Sequence, residues 1–142
     1  YGKGYIEANT VWRQFLDKLD ALRTRGMAVI VIARSEIKHF DSPDSEAYDR
    51  YQIKLQRGAA ALVQEWGDII GFAQCETAIK KEAAGFSGNR ARGVATGRRI
   101  LHVTPKPAYV AKNRYGMPDT IPLDWSALIG AMTPAPAAQA AA

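Results

Sequence analysis

The sequence predicts an α/β domain with a mainly parallel β-sheet. Three observations support this class: a helical pattern of apolar residues between positions 9 and 25, a glycine at position 26, and a continuous apolar run from Met27 to Ala33. A short apolar run rich in β-branched residues is typical of a strand that is buried on both faces of a parallel sheet. A helix, a glycine and such a strand, in this order, are typical of α/β domains.

The first element is an amphipathic helix. Its apolar residues recur at helical spacing, with charged residues on the opposite side. The apolar positions are Val11, Trp12, Phe15, Leu16, Leu19 and Leu22. Gly26 ends this helix, because glycine readily adopts the left-handed conformation that follows a last helical turn. The buried strand of residues 27–33 begins directly afterwards.

The middle of the chain predicts a loop, a second helix and another strand. Residues 34–49 are polar and contain Asp41-Ser42-Pro43-Asp44, which indicates a loop of about 15 residues. A helical pattern follows with an outward face of Arg50, Lys54 and Arg57. The stretch Asp68 to Ala73 predicts a strand that continues toward Ile79. Cys75 lies in this strand and is expected to be a small core residue.

A basic, glycine-rich segment lies between two predicted strands. Four glycines between Glu82 and Gly97 predict a long hairpin loop. The chain carries a net charge of +5, and residues 80–99 account for all of it. This segment contains one acid, Glu82, and six cations: Lys80, Lys81, Arg90, Arg92, Arg98 and Arg99. Basic residues concentrated in one segment indicate an anionic partner, such as a nucleic-acid backbone.

The C-terminal part predicts a strand, a turn, a short helix and a tail. Residues 99–104 favour a strand, and Asp124 is placed near the N-cap of a helix over residues 122–129. The Ala/Pro stretch 131–142 is expected to be a disordered tail behind a single domain of residues 1–130. The one cysteine, and the lack of a leader or an apolar run near 18 residues, favour a cytoplasmic protein without membrane contact.

Two cations follow the last strand, at Lys112 and Arg114. Residues two apart on an extended backbone point the same way, and the following Gly116 permits a sharp turn. Arginine supplies a planar fork of donors and lysine a compact charge, the pair that phosphoryl-transfer sites use. The alternative interpretation is a solvated basic turn.

The sequence does not contain a self-contained active site. The phosphate-loop pattern Gly-x-x-x-x-Gly-Lys-Ser/Thr does not occur, and Gly2-Lys3-Gly4 has neither a preceding strand nor a following hydroxyl. His39 and His102 are far apart and form no cluster with cysteine at metal-ligand spacing, so no metal site is expected.

The order of these elements resembles the C-terminal half of the RecA/DnaB-like ATPase core, a three-layer αβα P-loop fold with a mainly parallel sheet and a C-terminal β-hairpin. Further motifs make the chain similar to phage-encoded AAA/RecA-like nucleotide-binding proteins linked to single-strand annealing and recombination. The motifs that carry the resemblance are residues 1–5, the Trp12 helix, Glu36-Ile37-Lys38, residues 48–51, Gly67-Asp68-Ile69-Ile70 and residues 111–118.

The resemblance implies that the phosphate-binding loop and the magnesium-binding strand precede this chain in a longer protein. The full-length protein would bind ATP and Mg²⁺, whereas this chain alone would bind neither. Lys112 and Arg114 would act in trans on ATP held by a neighbouring subunit of a ring or filament. Arg34 and Ser35 stand where the family commonly has a phosphate-sensing histidine.

The resemblance also implies that the basic hairpin contacts single-stranded DNA, in the cytoplasm of a host cell if the protein is phage-encoded. Its DNA-binding residues would be Lys80, Lys81, Arg90, Arg92, Arg98 and Arg99. Two alternatives remain open at this point. The chain could be a non-catalytic nucleic-acid-binding module that uses only the hairpin, or a fragment without activity of its own.

Overall fold

The computed structural model describes residues 3–83 and 89–133, which form a mixed α/β fold. Within these ranges the elements follow in this order: α1 (Lys3–Thr24), β1 (Ser35–Phe40), β2 (Tyr48–Ile53), α2 (Arg57–Trp66), β3 (Ile69–Ile70), β4 (Phe72–Ala83), β5 (Asn89–His102), β6 (Lys112–Asn113), β7 (Thr120–Pro122) and α3 (Trp125–Met132). The predicted disordered tail lies mostly outside the described residues, which end at Thr133.

The strands form three small sheets, β1-β2, β3-β6 and β4-β5-β7, and each strand pair is antiparallel. The predicted mainly parallel sheet is therefore wrong for the described residues. Short connections join β1 to β2 and β4 to β5, and a short connection allows only antiparallel pairing, because a parallel pair needs a crossover of a dozen or more residues.

The apolar run 27–33 is not a strand, contrary to the sequence prediction. Ile30 is 64% exposed and Ile32 is 93% exposed. A strand buried on both faces needs neighbouring strands at its edges and a layer over each face. The described residues do not supply these neighbours, so the run has no regular secondary structure between α1 and β1.

The predicted loop over 34–49 and the start of the second helix are also corrected. Residues 35–53 form the β1-β2 hairpin, in register from Ser35 opposite Ile53 to Phe40 opposite Tyr48. The second helix begins only at Arg57, because the side chain of Gln56 caps it by accepting from the backbone N–H groups of Gly58 and Ala59. Arg50 thus lies on a strand rather than on a helical face.

The basic segment is mainly a β-hairpin rather than a loop. β4 and β5 pair from Phe72 opposite His102 to Ala83 opposite Asn89, and the residues between them lie outside the described ranges. Cys75 is exposed, so its predicted place in the core is wrong. Strand side chains alternate between two faces, and the face at Cys75 is not covered by other described residues.

Both predicted terminal helices are present, but their bounds differ: α1 begins at Lys3 rather than at residue 9, and α3 covers Trp125–Met132 rather than residues 122–129. The predicted helix over residues 9–25 is confirmed by α1, and Gly26 follows it with a φ of +86°. The predicted cap is confirmed by Asp124, whose carboxylate accepts a hydrogen bond from the backbone N–H of Ala127 at the start of α3. None of the helices in the described ranges combines the length and apolar character that a bilayer crossing requires.

The buried residues come from two regions. Helices α1 and α2 pack together and contribute Leu16, Ala59 and Val63. The second region follows β5, where Val103 is fully buried. Its other buried members are Tyr109, Ala111, Met117 and Ile121. The second region surrounds the turn that carries Lys112 and Arg114, so this turn lies on a packed base.

Candidate functional site

The pairing of β3 with β6 assembles the candidate site. Ile69 lies opposite Asn113 and Ile70 opposite Lys112. Because the two strands run in opposite directions, the residue before β3 meets the residue after β6. These residues are Asp68 and Arg114, and the backbone N–H of Arg114 donates to the carbonyl of Asp68 at 3.2 Å.

The carboxylate of Asp68 bridges two arginines. Its Oδ1 accepts from Nη1 of Arg114 at 2.9 Å, and its Oδ2 accepts from Nη1 of Arg23 at 2.9 Å. Arg23 also pairs with Asp20 at 3.2 Å, and the indole N–H of Trp66 donates to Asp20 at 2.9 Å. We call Asp20, Arg23, Asp68 and Arg114 the Asp68 cluster. It connects the end of α1 to the turn after β6.

The ammonium group of Lys112 is bound to the end of helix α2. Nζ donates to the backbone carbonyls of Gln64 at 3.0 Å and Glu65 at 2.8 Å. The last carbonyls of a helix have no partner within the helix and carry its negative partial charge. Lys112 therefore satisfies two such carbonyls and fixes α2 to β6.

Asn113 shapes the turn that follows. Its side-chain oxygen accepts from the backbone N–H groups of Tyr115 and Met117, and its amide nitrogen donates to the carbonyl of Met117 at 2.8 Å. Gly116 has a φ of +64°, a conformation that glycine adopts without a steric penalty. Three hydrogen bonds and one glycine thus hold the backbone on both sides of Arg114.

The two predicted phosphate-binding cations lie on one turn but have separate partners. Lys112 binds carbonyls of α2, whereas Arg114 binds Asp68 and its side chain is 55% exposed. Arg34 and Ser35, the predicted phosphate sensors, belong to the β1-β2 hairpin, where the carbonyl of Arg34 accepts from the backbone N–H of Lys54. No sequence motif singles out Arg23, and its one signal is a basic residue in the last turn of α1.

The predicted DNA-binding residues lie on the β4-β5 hairpin. The backbone register places Lys80 opposite Arg92 and Cys75 opposite Arg99. The backbones of Lys81 and Arg90 are likewise in the ladder, opposite Ala91 and Glu82 respectively. The side chains of Lys80, Lys81, Arg90 and Arg92 lie outside the described part of the chain.

A β-bulge divides this hairpin into two halves. The register shifts between Cys75 and Thr77, and Gly97 in the opposing strand has a φ of +78°. Glu76 closes the bulge, since its Oε2 accepts from Thr96 at 2.9 Å and from Nε of Arg98 at 2.7 Å. The hydrogen bond from Thr96 lowers the pKa of Glu76, and Arg98 lowers this pKa further.

A family model described as an AAA domain matches residues 1–115. The chain belongs to this AAA-domain family. The match reaches from α1 through the turn that bears Lys112 and Arg114, and it identifies an AAA-type nucleotide-binding domain. Comparison with curated proteins and with solved structures found no match.

Proposed function

We propose that this AAA domain belongs to an ATPase that assembles into a ring or filament, in which Arg114 of one subunit stabilises the phosphates of ATP bound by the next. We further propose that the β4-β5 hairpin binds single-stranded DNA during recombination or replication. The position of Arg114 supports the first proposal best. Its guanidinium is exposed at the surface, and it is held by the carboxylate of Asp68 and by the turn after β6.

The chemistry of Arg114 suits this role. A guanidinium presents its N–H donors in a planar fork that matches both carboxylate and phosphate oxygens. One of these donors, Nη1 of Arg114, already binds the carboxylate of Asp68, so the guanidinium is paired with an oxyanion in this structure. An arginine that reaches a neighbour's nucleotide must stand at the surface, and the 55% exposure of the Arg114 side chain meets this condition.

Lys112 is proposed as the second phosphate-binding cation, but its present hydrogen bonds must first break. Its Nζ must release the carbonyls of Gln64 and Glu65 before it can bind phosphate. Among the described residues, Arg114 has no hydrogen bonds to helix carbonyls to break. We therefore propose Arg114 as the first phosphate contact. Arg34 and Ser35 remain proposed phosphate sensors on the separate β1-β2 hairpin.

ATP and Mg²⁺ are proposed cofactors of the complete protein. Arg114 fits the outer, anionic side of a nucleotide, because it is a surface guanidinium already paired with an oxyanion. Residues 1–142 do not fit the phosphate cradle, since they contain no Gly-x-x-x-x-Gly-Lys-Ser/Thr pattern. Bound Mg²⁺ would neutralise charge on the phosphates. The proposal therefore requires that another part of the complete protein supplies the cradle and the magnesium ligands.

The test replaces Arg114 in the complete protein. Arg114→Ala should leave ATP affinity within a few-fold and lower turnover by about 10³-fold or more, the range in which arginine fingers act. Arg13→Ala, which removes an exposed arginine from α1, is the matched control and should turn over ATP like the wild type. Mixing Arg114→Ala with a variant defective only in its phosphate loop should restore part of the activity. Full turnover by Arg114→Ala would refute the proposed role.

A second candidate function is a nucleic-acid-binding module without catalysis. The observation that favours it is the backbone register, which places Lys80 opposite Arg92. Directly opposed residues of an antiparallel pair share one face of the sheet, so these two positions lie on the same face. A basic ribbon of this kind can follow a phosphate backbone without reading its sequence.

The salt dependence of binding tests this second function. If about four cations of the hairpin meet phosphates, affinity for single-stranded DNA should fall with a log–log slope near −3, or roughly 50-fold between 50 and 200 mM salt. The double variant Arg90→Ala/Arg92→Ala should reduce the slope by about one to two. The control Arg13→Ala/Lys18→Ala, on α1, should leave it unchanged. An unchanged slope in the hairpin variant would show that Arg90 and Arg92 do not contact the DNA phosphates.

A further inference from the structure

We propose that Asp68 is the positioning residue of Arg114, and that Arg23 holds Asp68 in place for this task. The inference rests on the proposed function, because it concerns how the phosphate-binding arginine is oriented. It assigns a role to Asp68 of the Gly67-Asp68-Ile69-Ile70 motif, which the proposed function treats only as a partner of Arg114, and to Arg23, which no sequence motif identifies.

The geometry of the carboxylate supports this assignment. Each oxygen of Asp68 accepts from a different arginine, at 2.9 Å in both cases. A carboxylate bound on one side only can rotate, and its arginine moves with it. Here Arg23 binds the second oxygen, and Arg23 is itself paired with Asp20. The carboxylate is therefore held from the α1 side while it holds Arg114 on the other.

The backbone adds a second attachment at the same place. The N–H of Arg114 donates to the carbonyl of Asp68 at 3.2 Å, so the main chain and the side chain of Asp68 both bind Arg114. The side chain of Asp68 is 29% exposed, whereas that of Arg114 is 55% exposed. Asp68 is thus the less exposed partner, and the guanidinium of Arg114 keeps an exposed side that can bind another ligand.

Energetic magnitudes indicate what this contact does. Exposed ion pairs contribute little to stability, so the Asp68 cluster adds little to the free energy of folding. An unrestrained arginine side chain occupies many rotamers, and fixing it in one of them has an entropic cost. Ordering it in advance removes part of this cost from the step in which a phosphate is bound. The main consequence is the orientation of Arg114 rather than the stability of the domain.

The experiment compares turnover in the complete protein. Asp68→Asn keeps the size of the side chain and removes its charge. It should lower kcat by about 10- to 100-fold, the scale of a misplaced catalytic group, with KM for ATP within a few-fold. Asp17→Asn, on an exposed aspartate of α1, is the matched control and should match the wild type. Unchanged kcat in Asp68→Asn would overturn the inference, and so would a higher kcat, because Asp68 would then restrain Arg114.

A double variant separates positioning from general structural damage. If Asp68 acts only through Arg114, then adding Asp68→Asn to Arg114→Ala should cause no further loss of turnover. Multiplied losses would refute positioning. If Arg114→Ala alone retains full turnover, the proposed function fails. If Arg114→Ala is inactive and Asp68→Asn is fully active, only the positioning inference fails.

A spectroscopic measurement does not depend on turnover. Nitrogen NMR of the 142-residue chain should show restricted rotation of the Arg114 guanidinium, as expected for a group bound to a carboxylate. Asp68→Asn and Arg23→Gln should both increase this rotation, whereas Asp17→Asn should not. Equal rotation in the wild type and in Asp68→Asn, with the chain folded by circular dichroism, would overturn the inference.

Discussion

At the scale of single residues, the observed contacts of Lys112 compete with its proposed role, because both use the same ammonium group. In the structure Nζ completes the end of helix α2 through two carbonyls. Any phosphate that Lys112 binds must replace these contacts. The side chain therefore contributes to stability when no phosphate is bound, and this contribution can be measured.

We predict that Lys112→Met destabilises the chain by about 1–2 kcal/mol, because the two carbonyls lose their partner. This is near the lower end of the about 1.5–3 kcal/mol that hydrogen bonds with charged groups contribute, since Lys112 is only half-buried. Methionine keeps the apolar stem, so the loss reports on the ammonium group. The midpoint of urea unfolding measures the change. Lys18→Met, on exposed helix α1, is the control and should shift the midpoint little. Equal shifts in both variants would show that the helix-end contacts contribute nothing.

The imidazole of His102 predicts a dependence of stability on pH. Its ring stacks on Phe72 and Tyr109, its Nε2 lies 3.2 Å from the side-chain oxygen of Gln74, and its buried Nδ1 lacks a hydrogen-bond partner within the described residues. Burial lowers the pKa of His102, and the charge of Lys106 lowers this pKa further. The folded chain therefore favours the neutral ring.

The sign of this dependence follows from the lowered pKa of His102. Above the ordinary value of about 6.5 the ring is neutral in both states and its contribution to stability is complete. As the pH falls below this value, the unfolded chain binds the proton first, and stability is lost. His102→Phe keeps a stacking ring without titration, so its unfolding midpoint should fall less than that of the wild type between about pH 8 and pH 5.5. Equal falls would exclude His102 as the source.

At the scale of elements, the bulge in the β4-β5 hairpin depends on one glycine. Gly97 has a φ of +78°, and a Cβ added there would meet no atom of the described residues within 4 Å. Any cost of a side chain at this position is therefore conformational rather than steric. Gly130 in α3 has the same open surroundings but lies in a helix, which makes the two positions a matched pair.

We predict opposite effects of the same substitution at these two glycines. Gly97→Ala should destabilise the chain by about 1–2 kcal/mol, because a left-handed conformation costs this much for an L-residue. Gly130→Ala should be neutral or stabilise by up to about 1 kcal/mol, because alanine favours the helix. Chemical unfolding of both variants measures the difference. Destabilisation of similar size in both would contradict the conformational explanation.

The elements that can be predicted from the sequence are those with local signals. Helix α1 has a long apolar period, and α3 has its cap at Asp124. The β1-β2 hairpin escapes prediction because its strands are short and polar, and the pairing that stabilises them joins residues such as Ser35 and Ile53. The sequence of residues 27–33 predicts a buried strand because the run is apolar. Apolar composition indicates that a segment tends to be buried, but it does not indicate which neighbours will cover it.

The same distinction applies to the candidate site. Lys112 and Arg114 are predictable from their spacing of two residues and the glycine that follows. Their partners are not, because Gln64, Glu65 and Asp68 lie 46 to 48 residues earlier in the chain. Only the tertiary pairing of β3 with β6 brings them together.

At the scale of the whole molecule, the segment 27–33 lines a mainly apolar cavity of about 790 Å³ together with residues of β3 and α3. Ile30 and Ile32 are 64% and 93% exposed. Apolar surface of this kind promotes association with other apolar surfaces. The chain should therefore be less soluble than its net charge suggests.

We predict that the 142-residue chain self-associates as its concentration rises, which sedimentation velocity can measure. Ile32→Lys should weaken the association, because it places a charge in the exposed apolar segment. Ile37→Lys is the control, since Ile37 is 59% exposed but lies on β1 outside this segment. A monodisperse wild-type monomer that binds no apolar dye would contradict the prediction.

The bulge at Glu76 and Gly97 also interrupts the β4-β5 ladder, so the outer half of the hairpin, which begins at Thr77, can rotate relative to the inner half. Residues 77–83 extend about 20 Å beyond the bulge at the ordinary rise per strand residue. A rotation of about 10° at the bulge would displace the far end of β4 by about 3.5 Å, comparable to the rise between adjacent nucleotides on one strand of a duplex. If the hairpin binds DNA as proposed, a rotation of this size at the bulge would move the backbones of the basic strands by about one nucleotide step.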